Sequence, residues 1–167
     1  MNVIMTGASG GLGRALAVEC ARRGYKMILT DVDEEGLRLI KRGIEREFDA
    51  TVITRVCDLT QGKSVDQMLE WMEQQALYVD MLLNIAGLDY EGGFMERDRE
   101  KLVEIVSLND AATMRITHAL LGRRRAGRRF SIVFVSSLAS MFPMPLKAIY
   151  AASKRFSWIL PHPSAKN

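Results

Sequence analysis

Short β-branched or apolar runs alternate five times with longer amphipathic stretches along this chain, and no other feature limits its possible folds as strongly. "NVIM" (2–5), "KMILT" (26–30), "TVITRV" (51–56), "MLLNIAG" (81–87) and "FSIVFVSS" (130–137) read as strands. A helix is expected over about 12–23, with Gly24 placed to end it. A second carries Leu37, Ile40, Ile44 and Phe48 at steps of three and four, which makes one apolar face. Ser64 and Gln67 form a capping-box pattern ahead of Val65, Met68, Leu69, Met72 and Ala76, and one long helix is expected over about 99–121. Such alternation, with no linker-like break and no solenoid repeat, predicts an α/β fold: one parallel sheet with helices on both faces. The nearly all-apolar run at 81–87 fits a strand buried on both sides. Two long loops, 87–100 and 138–147, follow strand carboxyl ends, the edge at which open α/β sheets bind ligands.

Composition narrows the class further. With 167 residues, 48% hydrophobic and 26% charged, the chain has the make-up of one globular domain rather than a disordered segment. No apolar run reaches the roughly 18 residues of a membrane span, and the start lacks the basic n-region of a signal peptide. Cys20 and Cys57 are too few for a disulfide framework and have no neighbours at metal-ligand spacing, so a cytoplasmic setting without a metal site is expected. The net charge of +3 depends on Arg123, Arg124, Arg125, Arg128 and Arg129. No aromatic residues interleave them, and cations suit a helix carboxyl end, so this run is read as a solvated helix end and not as a nucleic-acid site.

Specific chemistry begins at "TGASGGLG" (6–13), between the first strand and the first helix. Gly7, Gly11 and Gly13 permit a tight turn and a close approach of backbone to a phosphate at a helix amino terminus. Asp31 ends the second strand about 20 residues later, where a carboxylate can accept both ribose hydroxyls of an adenosine and repel a 2′-phosphate. Its competing reading, shared with Asp33, is a cap for the second helix. Gly10 brings no cation to the loop, which fits NAD; Arg14 is the one basic group near enough to reach a phosphate. Asn109 lies on the line Leu102, Ile105, Asn109, Ile116, Leu120, so its amide must find partners in the interior, either in a site or as a core asparagine bonded to nearby backbone. Tyr150 and Lys154 stand one helical turn apart. A phenol working near pH 7 needs its pKa lowered by roughly three units, about 4 kcal/mol, and a lysine one turn away favours the anion. Ser137, at the end of the fifth strand, offers a hydroxyl to the same point.

With these residues in place the chain resembles the short-chain dehydrogenase/reductase family. The matching segments are "TGASGGLG", "TDVD" through Asp31, "CDLT" (57–60), "LNIAG" (83–87), "SLND" (107–110), "VSS" (135–137) and "YAASK" (150–154), in the family's order and over about 2–157. The resemblance implies a Rossmann-type doubly wound sheet of order 3-2-1-4-5, an NAD(P)-binding domain over 1–160 with a tail at 161–167, and a homo-oligomer. It implies hydride transfer between a nicotinamide and a small-molecule alcohol or carbonyl, with NAD preferred over NADP. Tyr150 would then be the general acid or base, and Lys154 would hold the nicotinamide ribose and lower the Tyr150 pKa. Ser137 would bond the substrate oxygen, and Asn109 would anchor a water relay. Gly7, Ser9, Gly11, Leu12, Gly13, Asp31, Asp58, Leu59, Asn84, Ala86 and Gly87 would line the cofactor cleft together with Tyr150 and Lys154.

Two departures from the family pattern stand out. Asn84-Ile85-Ala86-Gly87 replaces the usual Asn-Asn-Ala-Gly, and the match fails near Trp158. Pro161 and Pro163 are expected to close the last helix, with His162 in a solvated tail, so the family's last two strands and part of its substrate pocket are expected to be missing. The alternative to an enzyme is therefore a non-catalytic dinucleotide-binding fragment.

Overall fold

The computed structural model describes residues 1–124 and 127–161. Five parallel strands form its sheet: β1 (Asn2–Thr6), β2 (Lys26–Asp31), β3 (Val52–Val56), β4 (Met81–Asn84) and β5 (Ser131–Phe134). They lie in the order β3-β2-β1-β4-β5. Six helices accompany them: α1 (Gly11–Arg22), α2 (Glu34–Glu47), α3 (Gly62–Gln74), α4 (Arg99–Val106), α5 (Thr113–Gly122) and α6 (Ala148–Ile159). The alternation predicts this parallel α/β sheet with helices around it, and the doubly wound, Rossmann-type order is the one that the resemblance implies.

Period-two geometry divides the apolar residues of each strand between two cores. Val3 and Met5 of β1 join Met27, Leu29 and Leu83 under α1 and α2, where Ala17, Leu37 and Ile44 meet them. Ile4, Ile28 and Leu82 point the other way, onto Val65, Met68, Met72, Ile116 and Leu120 of α3 and α5. Two-sided burial is why β1 and β4 read as continuous apolar runs. β5 is different: it is an edge strand with β4 on one side only, and Val133 is 41% exposed.

Helix ends follow local chemistry. Gly24 adopts φ +69°, its N–H reaching the Ala21 carbonyl while Tyr25 N–H reaches Cys20, so it terminates α1 as the sequence predicts. Asp33 caps α2 by accepting from Gly36 N–H at 3.0 Å. Arg123 and Arg124 sit at the end of α5, where Arg123 donates to the Leu69 carbonyl and pairs with Glu73. Arg125 lies outside the described residues, as do His162, Pro163 and the rest of the tail beyond Pro161.

Several expectations need correction. Ser64 does not cap α3: that helix starts at Gly62, with Gln61 as its flanking residue, and the Ser64 hydroxyl instead turns back to accept from Asp58 N–H at 3.1 Å. The expected strands at 81–87 and 130–137 hold ladder pairing only through Asn84 and Phe134; the apolar character continues, but the residues after both leave the sheet, and 85–88 line a cleft. The long helix is also not uniform. Ser107–Ala112 forms wider π-helical turns between α4 and α5. Apolar periodicity does not register such a widening.

Leu82 is fully buried between β1 and β5, whereas Val133 faces outward. We expect Leu82→Ala to lower the free energy of unfolding by about 2–5 kcal/mol and Val133→Ala by less than about 1 kcal/mol. Urea denaturation of the two variants measures both.

Candidate active site

The carboxyl ends of β1, β2 and β4 open onto a cleft of about 490 Å³. Gly7, Ser9, Gly11, Leu12, Gly13, Asp31, Asp58, Leu59, Ala86 and Gly87 line it. Two close approaches account for the glycines. Gly7 has φ +67°, and a Cβ there would stand 2.7 Å from the backbone of Ala86. At Gly13 a Cβ would fall 2.1 Å from the Gly7 carbonyl oxygen. Gly11 has nothing within 4 Å of such a position, so its open side faces the cleft. No side chain caps the start of α1 and its first turn carries no acidic residue, whereas Asp33 and Asp98 cap α2 and α4. The amino end of α1 thus presents its dipole to the cleft uncompensated.

Asp31 performs two tasks. Its carboxylate accepts from Ser9 N–H at 2.9 Å, holding the glycine loop against β2, and from Asp33 N–H at 3.2 Å. It therefore does not cap α2, which Asp33 does. Arg14 turns its guanidinium back onto the Ser9 carbonyl. Asp58 folds an Asx turn, accepting from both the N–H and the hydroxyl of Thr60. Thr6 was not singled out from the sequence, yet its hydroxyl receives Ile85 N–H at 3.1 Å and Ala86 N–H at 3.3 Å, positioning the segment that passes Gly7.

Asn84 is buried away from the cleft and donates to the Thr117 hydroxyl at 3.3 Å, so it ties β4 to α5 rather than lining the site. Asn109 is 2% exposed. Its carbonyl oxygen accepts Leu88 N–H at 2.8 Å, and its amide donates to the Leu88 carbonyl at 3.0 Å and to the Ser153 hydroxyl at 2.9 Å. Asn109 is thus bonded to the Leu88 peptide, and Leu88 borders the cleft.

Ser137, Tyr150 and Lys154 lie beyond the cleft wall, and Gly87 is the junction. A Cβ on Gly87 would sit 3.1 Å from Lys154 Nζ and 3.2 Å from Asn109 Oδ1. Lys154 is 6% exposed; its ammonium donates to the Val135 carbonyl at 3.1 Å and stands 5.7 Å from the Tyr150 ring centre. Burial pushes its pKa down, opposed by the charges of Asp110 and Asp89. Ser137 ends the extended run after β5 and accepts from Ala139 N–H at 3.2 Å in the 3-10 turn 138–140. Ser136, one place earlier, donates to the Lys154 carbonyl at 2.8 Å. Ser153 donates to the Tyr150 carbonyl at 2.8 Å. Spacing gave no sign of Ser136, Ser153 or Thr6, because hydroxyls become informative only once their burial is known. Cys20 and Cys57 are free, buried thiols whose pKa values burial raises. Among the described residues no group of carboxylate, thiol or imidazole side chains could hold a metal ion, and no helix is long and apolar enough to cross a membrane.

Asp110 was read only as part of "SLND". Burial raises its pKa from 3.8 to about 6, offset in part by Lys154. Because the folded value exceeds the unfolded one, its contribution to stability is complete below 3.8 and is lost as pH rises through about 6. The Tm of Asp110→Asn relative to the unmodified chain should therefore shift in the variant's favour between about pH 4 and about pH 7. Calorimetry at the two pH values checks the sign.

Comparison with known proteins agrees with this geometry. The family model described as short chain dehydrogenase matches residues 1–160. A very-long-chain 3-oxoacyl-CoA reductase of Phaeosphaeria nodorum is 29% identical over 157 residues, covering 92% of this chain and 46% of the reductase. Among solved structures, a short-chain dehydrogenase from Sphingobium yanoikuyae in complex with NADPH superposes with a TM-score of 0.88 at 29% identity, covering 95% of this chain and 62% of that one. The bulky-bulky ketone specific alcohol dehydrogenase from Comamonas testosteroni gives a TM-score of 0.88 at 28% identity, over 95% of this chain and 64% of that one. The chain thus spans about half to two thirds of the length of these relatives.

Proposed function

The chain belongs to the short chain dehydrogenase family, and we propose that it binds a nicotinamide dinucleotide in the cleft and exchanges hydride with an alcohol or carbonyl at Tyr150. The observation that carries this reading is Gly87. It borders the cleft, and a side chain placed on it would stand 3.1 Å from Lys154 Nζ and 3.2 Å from Asn109 Oδ1, so only this glycine separates the dinucleotide end from Lys154.

The residues present fit such a cofactor. The glycine loop and the uncapped amino end of α1 suit a pyrophosphate, and Asp31 suits the adenosine ribose. When bound, the nicotinamide supplies or accepts the hydride. Tyr150 gives its phenolic proton to a carbonyl oxygen, or takes one from an alcohol in the reverse direction. Lys154, held by the Val135 carbonyl, places a positive charge 5.7 Å from the centre of the phenol ring. Ser137 spends a lone pair on Ala139 N–H, and its hydrogen can be donated to the substrate oxygen. Removal of the phenolic hydroxyl by Tyr150→Phe should reduce kcat with NADH and a carbonyl substrate by about 100-fold or more, leaving NADH affinity within about twofold. Unchanged turnover would refute the assignment of Tyr150. NADH binding by the unmodified chain without oxidation across a carbonyl panel would favour a non-catalytic dinucleotide-binding module.

NAD is proposed as the preferred form. The Asp31 carboxylate would meet a 2′-phosphate with like charge, although the Sphingobium relative was solved with NADPH. NADH should bind more tightly than NADPH by about tenfold, equivalent to about 1.4 kcal/mol, and Asp31→Ala should narrow the gap. Fluorescence titration of both cofactors decides, and equal or tighter binding of NADPH by the unmodified chain rejects the preference.

A further inference from the structure

Asp110 is a carboxylate that the proposed chemistry does not use. Its Oδ1 atom is walled off from solvent and has no hydrogen-bond partner in the structure. It follows Asn109 in the π-helical turns, a segment packed directly on α6. Asn109 reaches across that contact to Ser153, the residue next to Lys154, and the charges of Asp110 and Lys154 act on one another between the two packed elements. Lys154 is itself nearly sealed, and the oxygen it touches, that of Val135, is neutral. A sealed ammonium and a half-buried carboxylate with one sealed oxygen are weakly screened from one another, and each favours the other's charged form.

We propose that Asp110 is the buried charge partner of Lys154, a positioning residue that keeps the ammonium charged and oriented beneath Tyr150. The inference rests on the reading of Tyr150 and Lys154 given above. Other charged groups around the pair are already engaged. Asp89 also acts on Lys154, but Lys147 holds it in an ion pair at the surface. On α4, Glu104 is bonded by Tyr90 and paired with Lys101. On α5, Arg115 pairs with Asp66 and His118 is exposed. On α6 itself Tyr150 is a titratable neighbour, and the exposed Arg155 donates to the Ser140 carbonyl. An unpartnered buried carboxylate opposes folding at neutral pH, and groups placed at such a cost concentrate at functional sites.

The test reads Lys154 directly and requires no cofactor. The chain is labelled with carbon-13 at the lysine Cε positions, and the Lys154 resonance is assigned by its absence in Lys154→Arg. In the unmodified chain this resonance should shift across about pH 6, where Asp110 ionises. In Asp110→Asn that inflection should disappear, and Lys154 should lose its own proton at a pH lower by at least about half a unit. Asp89→Asn should retain the inflection. A Lys154 resonance that is flat near pH 6 in the unmodified chain would overturn the pairing whether or not Asp110→Asn folds, and so would an inflection that persists in Asp110→Asn. NADH binding is measured on the same samples. Its absence beside an intact inflection defeats the dinucleotide reading alone, and its presence beside a flat Lys154 signal defeats the pairing alone.

Discussion

A buried primary amide that has lost its water must bond at both ends, and Asn109 does so across three separate pieces of chain. Its oxygen and nitrogen close on the Leu88 peptide from both sides, which fixes the segment leaving β4. Its second N–H takes the Ser153 hydroxyl, which in turn donates to the Tyr150 carbonyl. Removal of this one side chain would leave a peptide N–H, a peptide C=O and a buried hydroxyl each short of a partner. The rotational setting of α6, and with it the placing of Tyr150 and Lys154, therefore depends on an amide from another helix. The wider turns at Ser107–Ala112 belong to the same arrangement, since they carry Asn109 toward the backbone it must reach.

Electrostatics at the far end of the site are asymmetric. Tyr150 has two lysines near its ring, Lys147 at 5.6 Å and Lys154 at 5.7 Å from the centre. Distance alone would rank them as equals, but their surroundings do not. Lys147 pairs with Asp89 and lies near Glu91 at 3.6 Å, so two carboxylates offset its charge at the surface, where water screens what remains. Lys154 lies in the interior, beside a carbonyl dipole, where screening is weak. The weakly screened positive charge beside the Tyr150 ring is consequently that of Lys154.

Much of the architecture was legible because it is periodic. Alternating strands and helices gave the parallel sheet, Gly24 gave the end of α1, and Asp33 gave the cap of α2. The glycine loop and Asp31 were legible because strand–loop–helix order places them at one sheet edge. Three kinds of feature were not. The π-helical turns leave no mark on a pattern of apolar residues. Ser64 matched a capping pattern locally, yet its hydroxyl had a better partner in Asp58 N–H, six residues earlier. Thr6, Ser136 and Ser153 look unremarkable as letters, and their roles follow from burial beside backbone groups that left the sheet. For Asn84 the motif implies both a place at the cleft and a part in steadying the central sheet, and its amide bonds Thr117 beneath β4.

The glycine loop shows how steric exclusion creates a binding surface. Gly7 and Gly13 are filled in by backbone: Ala86 occupies the place of a side chain at the first, and the Gly7 carbonyl occupies it at the second. Neither glycine could then contact a ligand through a side chain, and neither tolerates one. Together they draw the start of α1 down onto the β1–β4 edge. Gly11, between them in sequence, is left with open space. Such space beside an uncapped helix start would be unfavourable for a buried terminus, because orphan N–H groups need acceptors. At the mouth of a cleft it serves a different end, since the first acceptor to arrive there with a negative charge gains both hydrogen bonds and the dipole. The two closed glycines are thus the condition for the open one, and substitutions at the three positions should fail for different physical reasons.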